Sequence, residues 1–365
     1  MSRLKLLLTT DAIGGVWTYS LDLAAALAQA EDVAVTLAVL GPVPDAEQLT
    51  AAAATPGLQL IQPGLPLDWM AEDADTVRQS AAALAELASL AEADLVQLHT
   101  PALACASYPA PVVSVVHSCL ATWWSAVKTG PLPDDFAWRT DLVREGLRRS
   151  DLVVTPTHAF VGMVRQAYGL RRQPEAVHNG RKPWTAPERP RADFAFTAGR
   201  LWDEGKNAAA FDRAAALSTT PFLAAGPLQG PNGTAAQLQH AQGLGRLDEA
   251  ALADRLAGRP VFVSTARYEP FGLSVLEAAQ AGCALVLSDI PTFRELWDGA
   301  ALFVSPHDEK AVAAAVDRLI ADPATRAALG KQARTRAAGY TPQATATAML
   351  GHYRALLGSA RRAAA

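Results

Sequence analysis

Two α/β domains, each a doubly wound parallel sheet, are predicted by three features of this 365-residue chain. Short β-type runs alternate with longer Ala/Leu-rich helical patterns almost throughout, the mark of strand–helix units around parallel sheets. The rhythm breaks once, at residues 179–193, where three prolines and many charges replace any apolar period. The chain is also too long for one ordinary compact domain and comfortable for two.

Each element follows from local pattern. Residues 4–8 read as a strand, followed by Gly14-Gly15 and an apolar helix to about residue 28. Residues 33–39 are a second strand, and 76–90 a helix with apolar residues three and four apart. Residues 95–98, 112–116 and 152–154 are apolar and partly β-branched, as strands buried on both faces should be. Residues 134–149 form a helix with a basic last turn. Past the break, strands are predicted at 194–197, 221–224, 261–264 and 284–287 with helices between them, and a last helix at 341–357 follows Gly-Tyr-Thr-Pro. The expected domains are residues 1–180, completed by the C-terminal helix within 341–365, and residues 194–340, joined by a linker at 181–193. Two open α/β sheets facing each other across a cleft bind ligands at the carboxyl ends of their strands, which directs attention to the loops there.

Composition narrows the function classes. Half the residues are apolar and 19% are charged, which is globular composition with material for two cores. A formal charge of -4 gives no electrostatic reason for a nucleic-acid partner. Cys105, Cys119 and Cys283 lie far apart with no CxxC pair, so neither a disulfide framework nor a zinc site is expected. The first ten residues have too short an apolar run for a signal peptide, and no stretch approaches the roughly 20 apolar residues of a membrane span. A cytoplasmic protein is the expectation that remains.

The loop after residues 261–264 carries the most chemistry. It contains Tyr268-Glu269-Pro270-Phe271-Gly272-Leu273-Ser274-Val275-Leu276-Glu277. A strand ends, Pro and Gly mark a turn, and a helix begins near Gly272 or Leu273. The free N–H groups and the dipole at that helix start can hold a diphosphate without a metal. Glu269, ahead of the helix, can accept hydrogen bonds from sugar hydroxyls, and Glu277, in its second turn, from a ribose diol. Taken singly, Glu269 reads first as a turn residue and Glu277 as a solvated helix residue, because Glu is usually exposed.

The ordered set of loops changes that balance. The Glu-x7-Glu with its internal Phe-Gly-Leu resembles the retaining glycosyltransferases of family 4, which have the GT-B fold of two Rossmann-like domains. The resemblance runs from residue 4 to about residue 340. Gly14-Gly15-Val16 looks like that family's first-strand glycine loop, and Asn179-Gly180 like its Asn-Gly before the linker. Gly199-Arg200-Leu201 with Lys206-Asn207 looks like its basic diphosphate clamp, and Leu244-Gly245 like a short strand end.

The resemblance implies a metal-independent transferase moving a sugar from a nucleotide-diphosphate donor to an acceptor hydroxyl, with no cofactor beyond that donor substrate. It assigns Glu269 and His117 to catalysis. Gly14, Gly15, Arg200, Lys206, Phe271, Gly272, Leu273 and Glu277 would bind the donor. Arg200 and Lys206 would balance the leaving diphosphate in place of a metal. His99 is a weaker candidate at another strand end. This chain departs from the family twice. Gly205 lengthens the Arg-to-Lys step to six residues, so the loop should bulge, and Arg181-Lys182 stand where an apolar residue and an Asp are usual.

Five of the eight tryptophans precede residue 140. Trp17, Trp123 and Trp124 are candidates to border an acceptor by stacking on sugar rings, with core packing as the equal alternative. The acceptor is open among glycan, lipid and small molecule. Peripheral membrane contact through Arg144, Arg148 and Arg149 is conceivable, although three arginines at a helix end are ordinarily surface favoured by the dipole. Asp73-Ala-Asp75 suits a first helical turn better than a metal site. Gly243-Leu-Gly245 lacks the third glycine of a dinucleotide loop. Two other readings use the same motifs: a non-catalytic protein that binds sugar nucleotides, and a nucleotide-sugar hydrolase or epimerase.

Overall fold

The structure, a computed structural model, describes residues 3–30, 33–183, 189–231 and 233–364. Part of the expected linker, residues 184–188, lies outside the described residues. The chain divides into two compact units. One comprises residues 1–125, 129–180 and 342–365, the other residues 126–128 and 181–341.

The first unit begins with β1 (Leu4–Asp11), α1 (Gly15–Ala30), β2 (Val33–Leu40), α2 (Ala46–Ala53), β3 (Leu58–Ile61), α3 (Ala74–Leu90) and β4 (Leu95–Leu98). It continues with β5 (Val112–Val115), α4 (Leu120–Val127), α5 (Ala137–Arg149), β6 (Leu152–Thr155), α6 (His158–Tyr168) and β7 (Glu175–Ala176). Among the described residues its strands lie in the order β3-β2-β1-β4-β5-β6-β7, and every recorded pairing is parallel. Helix ends follow their sequence signals. Asp45 and Gln48 form a reciprocal capping box at α2, Asp73 caps α3, and Gly169 closes α6 in the left-handed conformation. Asp73 is therefore a cap, with its carboxylate accepting the Thr76 N–H at 2.8 Å.

The second unit holds β8 (Ala195–Ala198), α7 (Ala208–Ala215), β9 (Phe222–Ala225), β10 (Gln242–Gly245), α8 (Glu249–Ala257) and β11 (Val261–Ser264). It then runs through α9 (Leu273–Ala281), β12 (Ala284–Ser288), α10 (Pro291–Trp297), β13 (Leu302–Val304), α11 (Glu309–Ala321) and α12 (Pro323–Ala337). Its described strands are ordered β10-β9-β8-β11-β12-β13, again with parallel pairing throughout. The chain closes with α13 (Pro342–Ala364), which packs Ala346, Met349, Leu350 and Tyr353 into the core of the first unit.

Both sheets are buried on two faces. In the second unit, one face packs Phe196, Phe262 and Leu285 beneath α9 and α12, and the other packs Val261, Val263 and Val286 beneath α7 and α11. That double burial is why β6 and β9 read as near-continuous apolar runs, and why the buried polar residues of β4 and β5, Gln97 and Ser114, are hydrogen-bonded, to Tyr353 and Ser150. Strand order reverses direction between β1 and β4, and between β8 and β11. In an open α/β sheet the loops leaving such a pair diverge and open a crevice at the carboxyl ends. Gly14 and His99 therefore share one such point, and Arg200 and Glu269 the other.

Candidate functional site

At the second unit's switch point, three strand-end loops are bonded together. Gly199 N–H donates to Ala225 O at 3.0 Å, and Gly226 N–H to Gly245 O at 2.7 Å. A Cβ at Gly226 would lie 1.8 Å from the Gly199 carbonyl oxygen, so only glycine permits this approach. The loop after β8 next makes a short 3-10 turn at Glu204–Lys206, with Asp203 capping Gly205 N–H at 2.9 Å. The additional Gly205 presents its carbonyl to the N–H groups of Arg267 and Tyr268 at 2.9 and 3.2 Å. The extra residue thus docks the loop after β8 onto the loop after β11. Asn207, at φ +55°, secures the same junction by donating to Thr265 O at 3.0 Å and Pro306 O at 2.9 Å.

This docking brings Lys206 to Glu269, whose ammonium and carboxylate form an ion pair. Their side chains are 24% and 12% exposed, which places the pair largely out of water, where it is screened little. Thr292 Oγ1 donates to the Glu269 carbonyl at 2.6 Å and fixes the backbone. Gly272 then turns into α9 at φ +92°, and no side chain caps the helix start. The first N–H groups of α9 have no capping side chain, in the position from which an anion is held. Thr197, Gly199, Lys206, Thr265, Glu269 and Ser274 line a common recess. Arg200, with a side chain 41% exposed, pairs with Asp203 at 3.2 Å and lies 5.7 Å from the Trp202 ring. Phe271 is buried in the core with its ring edge-on to Tyr340, so only its backbone could meet a ligand.

Glu277 is placed differently from a solvated helix residue. Its Oε1 accepts Arg181 Nε–H at 2.9 Å, and Arg181 Nη2–H also donates to Glu249 at 3.1 Å. In the sequence Arg181 stands out only as a departure from the family pattern. The available signal was a cation at a position where an apolar residue is usual.

In the first unit, Gly14 turns the chain out of β1 at φ +107°, and α1 starts at Gly15. His99 N–H donates to Thr9 Oγ1 at 3.0 Å. With Gln97 Oε1 accepting the Tyr353 hydroxyl, the Gln97 amide nitrogen faces His99 Nε2 at 2.9 Å. His99 Nε2 is then an acceptor and Nδ1 carries the proton, 3.3 Å from Ser20 Oγ. Burial, with His117 nearby, holds the His99 pKa well below its usual value. His117 lies two residues past the end of β5, with its ring 4.5 Å from Tyr19 and 4.8 Å from His99. Its Nε2 is buried without a hydrogen-bond partner among the described residues, and burial pushes its pKa down to about 4. A neutral imidazole in this setting can give or take one uncharged hydrogen bond.

The tryptophans separate. Trp17 is 6% exposed and packs with Val39 and Ala52, the arrangement that the core-packing alternative describes. Trp123 and Trp124 are half-buried, with centroids 6.4 Å apart, and Trp124 Nε1–H donates to Gly130 O at 3.2 Å. Among the described residues no helix is long and apolar enough to cross a membrane.

Comparison with known proteins places this geometry. A family model described as Glycosyltransferase Family 4 matches residues 13–183, and one described as Glycosyl transferases group 1 matches residues 235–336. A glycogen synthase of Mycobacterium tuberculosis is 30% identical over 284 residues, covering 68% of this chain and 65% of that protein. The match thus spans just under two thirds of that relative's length. A D-inositol 3-phosphate glycosyltransferase of Kineococcus radiotolerans is 36% identical over 115 residues, 29% of this chain and 26% of that one. Among solved structures, a sucrose-phosphate synthase from Thermosynechococcus elongatus superposes with a TM-score of 0.79 at 18% identity, covering 98% of this chain and 100% of that one. An Anabaena protein in complex with UDP-glucose gives 0.75 at 17% identity, covering 97% and 100%. At such identities these two establish shared fold alone. With both sheets parallel, both switch points furnished with glycine loops and both family models matched, the chain belongs to the family 4 glycosyltransferases of GT-B fold.

Proposed function

We propose that this chain transfers a sugar from a nucleoside-diphosphate donor to an acceptor hydroxyl, without a metal and with retention at the anomeric carbon. The observation that carries the reading is the Lys206–Glu269 pair beside the uncapped start of α9, in a recess shared with Gly199 and Ser274. An ammonium has three donors, so Lys206 can keep Glu269 and still bind a phosphate oxygen. Arg200 and the N–H groups of Gly272 and Leu273 supply the remaining positive potential for a leaving group that gains negative charge. In the step itself, the bond from the anomeric carbon to the β-phosphate oxygen breaks and the bond to the acceptor oxygen forms on the same face. The acceptor proton passes to the departing phosphate oxygen. Glu269 accepts from the sugar hydroxyls and orients the ring. Glu277 accepts from the ribose diol.

In the first unit, Gly14 and Gly15 let backbone approach substrate, and neutral His117 bonds a sugar hydroxyl through Nε2. Trp123 and Trp124 are the remaining aromatic candidates for an acceptor, be it glycan, lipid or small molecule. The relatives support a nucleotide sugar as donor, since the Anabaena structure holds UDP-glucose.

The test is a thermal-shift screen with UDP-, GDP- and ADP-sugars, followed by product analysis with the stabilising donor. A donor at about 100 times its Kd should stabilise the fold by about 2.7 kcal/mol. Absence of any shift, with no sugar moved to glycan, lipid or small-molecule acceptors, overturns the reading. Release of nucleoside diphosphate without acceptor would indicate hydrolysis instead.

A further inference from the structure

Arg181 has a role that neither the family motifs nor the donor clamp supplies. It is 8% exposed, rare for an arginine, and it is clamped along its whole length. Its backbone N–H donates to Tyr340 O at 3.2 Å, and its carbonyl accepts Gln280 Nε2–H at 2.7 Å. Its guanidinium forks, with Nε to Glu277 at 2.9 Å and Nη2 to Glu249 at 3.1 Å. Glu277 and Gln280 are three residues apart on α9, hence on one face. One residue of that face grips the Arg181 backbone while another grips its side chain.

The two glutamates differ in surroundings. The Glu249 side chain is 58% exposed at the first position of α8, and its contact with Arg181 is a surface pair of small worth. The Glu277 side chain is 12% exposed and that of Arg181 is 10% exposed. A carboxylate so withdrawn from water needs a counter-charge to stay ionised, and the planar guanidinium gives it both charge and direction.

We infer that Arg181 is the positioning residue for nucleotide ribose: it holds Glu277 as an oriented, acceptor-only carboxylate, so that discrimination in favour of the ribose 2′-hydroxyl depends on Arg181. The inference rests on the reading of Glu277 as the ribose ligand. Lysine cannot replace the fork, because it lacks the Nε–H that meets Oε1 and is a point charge rather than a plane.

The experiment is calorimetric titration of the full chain with UDP, GDP and ADP and with their 2′-deoxy counterparts, for wild type, Arg181→Gln, Arg181→Lys and Glu277→Gln, with melting temperature monitored throughout. Wild type should favour one ribonucleotide over its 2′-deoxy form by about tenfold or more, the scale of a hydrogen bond to a charged group. Arg181→Gln should lose that factor for the ribonucleotide and leave the 2′-deoxy form unchanged, matching Glu277→Gln. Arg181→Lys should fall between wild type and Arg181→Gln, and it carries the test if the glutamine variant does not fold. Equal weakening of both nucleotide forms, or an unchanged ratio in folded Arg181 variants, overturns the role of Arg181. A wild type that does not distinguish the two forms overturns the ribose role of Glu277 and this inference with it. A wild type that binds none of the three nucleotides removes the donor reading itself.

Discussion

Replacing Gly226 by alanine tests whether the loop after β8 is held by backbone contact. The added Cβ would lie 1.8 Å from Gly199 O and 2.9 Å from Gly199 C, while φ there is +136°. The obstacle is main chain, so no rotamer relieves it, and the 199–200 loop must retreat by about 1 Å. The hydrogen bonds Gly199 N–H to Ala225 O and Gly226 N–H to Gly245 O would stretch with it. A strained backbone conformation costs about 1–3 kcal/mol, and overpacking about the same. Taking about 3 kcal/mol for both, the melting transition of the second unit should fall by roughly 6–12 °C. Displacing Arg200 by about 1 Å should lower kcat/KM on the order of 100-fold. The control is Gly162→Ala, an exposed site within α6 where a Cβ meets nothing within 4 Å. It should stabilise the first unit by about 0.5–1 kcal/mol, since helical glycine costs that much relative to alanine. The assay is a thermal melt resolving both transitions, paired with donor kinetics. A Gly226→Ala protein melting within about 2 °C of wild type with undiminished kcat/KM would refute the argument, because those magnitudes leave no room for it.

Two further outcomes follow from the charged groups. Lys206→Met removes the counter-ion of Glu269 and the ammonium proposed to bind phosphate, and kcat/KM should drop by about 100- to 1,000-fold. A fall under about fivefold would show that Lys206 is not part of the clamp. The second outcome concerns acid. Burial holds the folded-state pKa of His117 down to about 4, against 6.5 for the ordinary group. Between those values the unfolded chain binds more protons than the folded one, so the first unit loses stability as pH falls from 6.5 towards about 4. In His117→Asn the acid decline of the first transition should be shallower than in wild type. Parallel curves would mean that His117 titrates normally.

The α/β alternation was legible in the chain because strands buried on both faces are near-continuously apolar, as in residues 152–154 and 284–287. The sequence also marked the start of α9, since Pro270 and Gly272 punctuate the chain whatever surrounds them. Strands β3, β7, β10 and β13 were not legible as buried runs. They are short and lie at or near the sheet edges, and β10 is a mostly exposed Gln-Gly-Leu-Gly. Trp17 could be sugar platform or core by composition, and only the packing of α1 against β2 placed it in the core. The 3-10 turn through Gly205 set Lys206 against Glu269, 63 residues away. Arg181 met Glu277 across 96 residues. Periodicity and turn chemistry act over a few residues and can be read in the chain. Ion pairs form between loops that the sheet order brings together, and that order comes from packing, which no local pattern encodes.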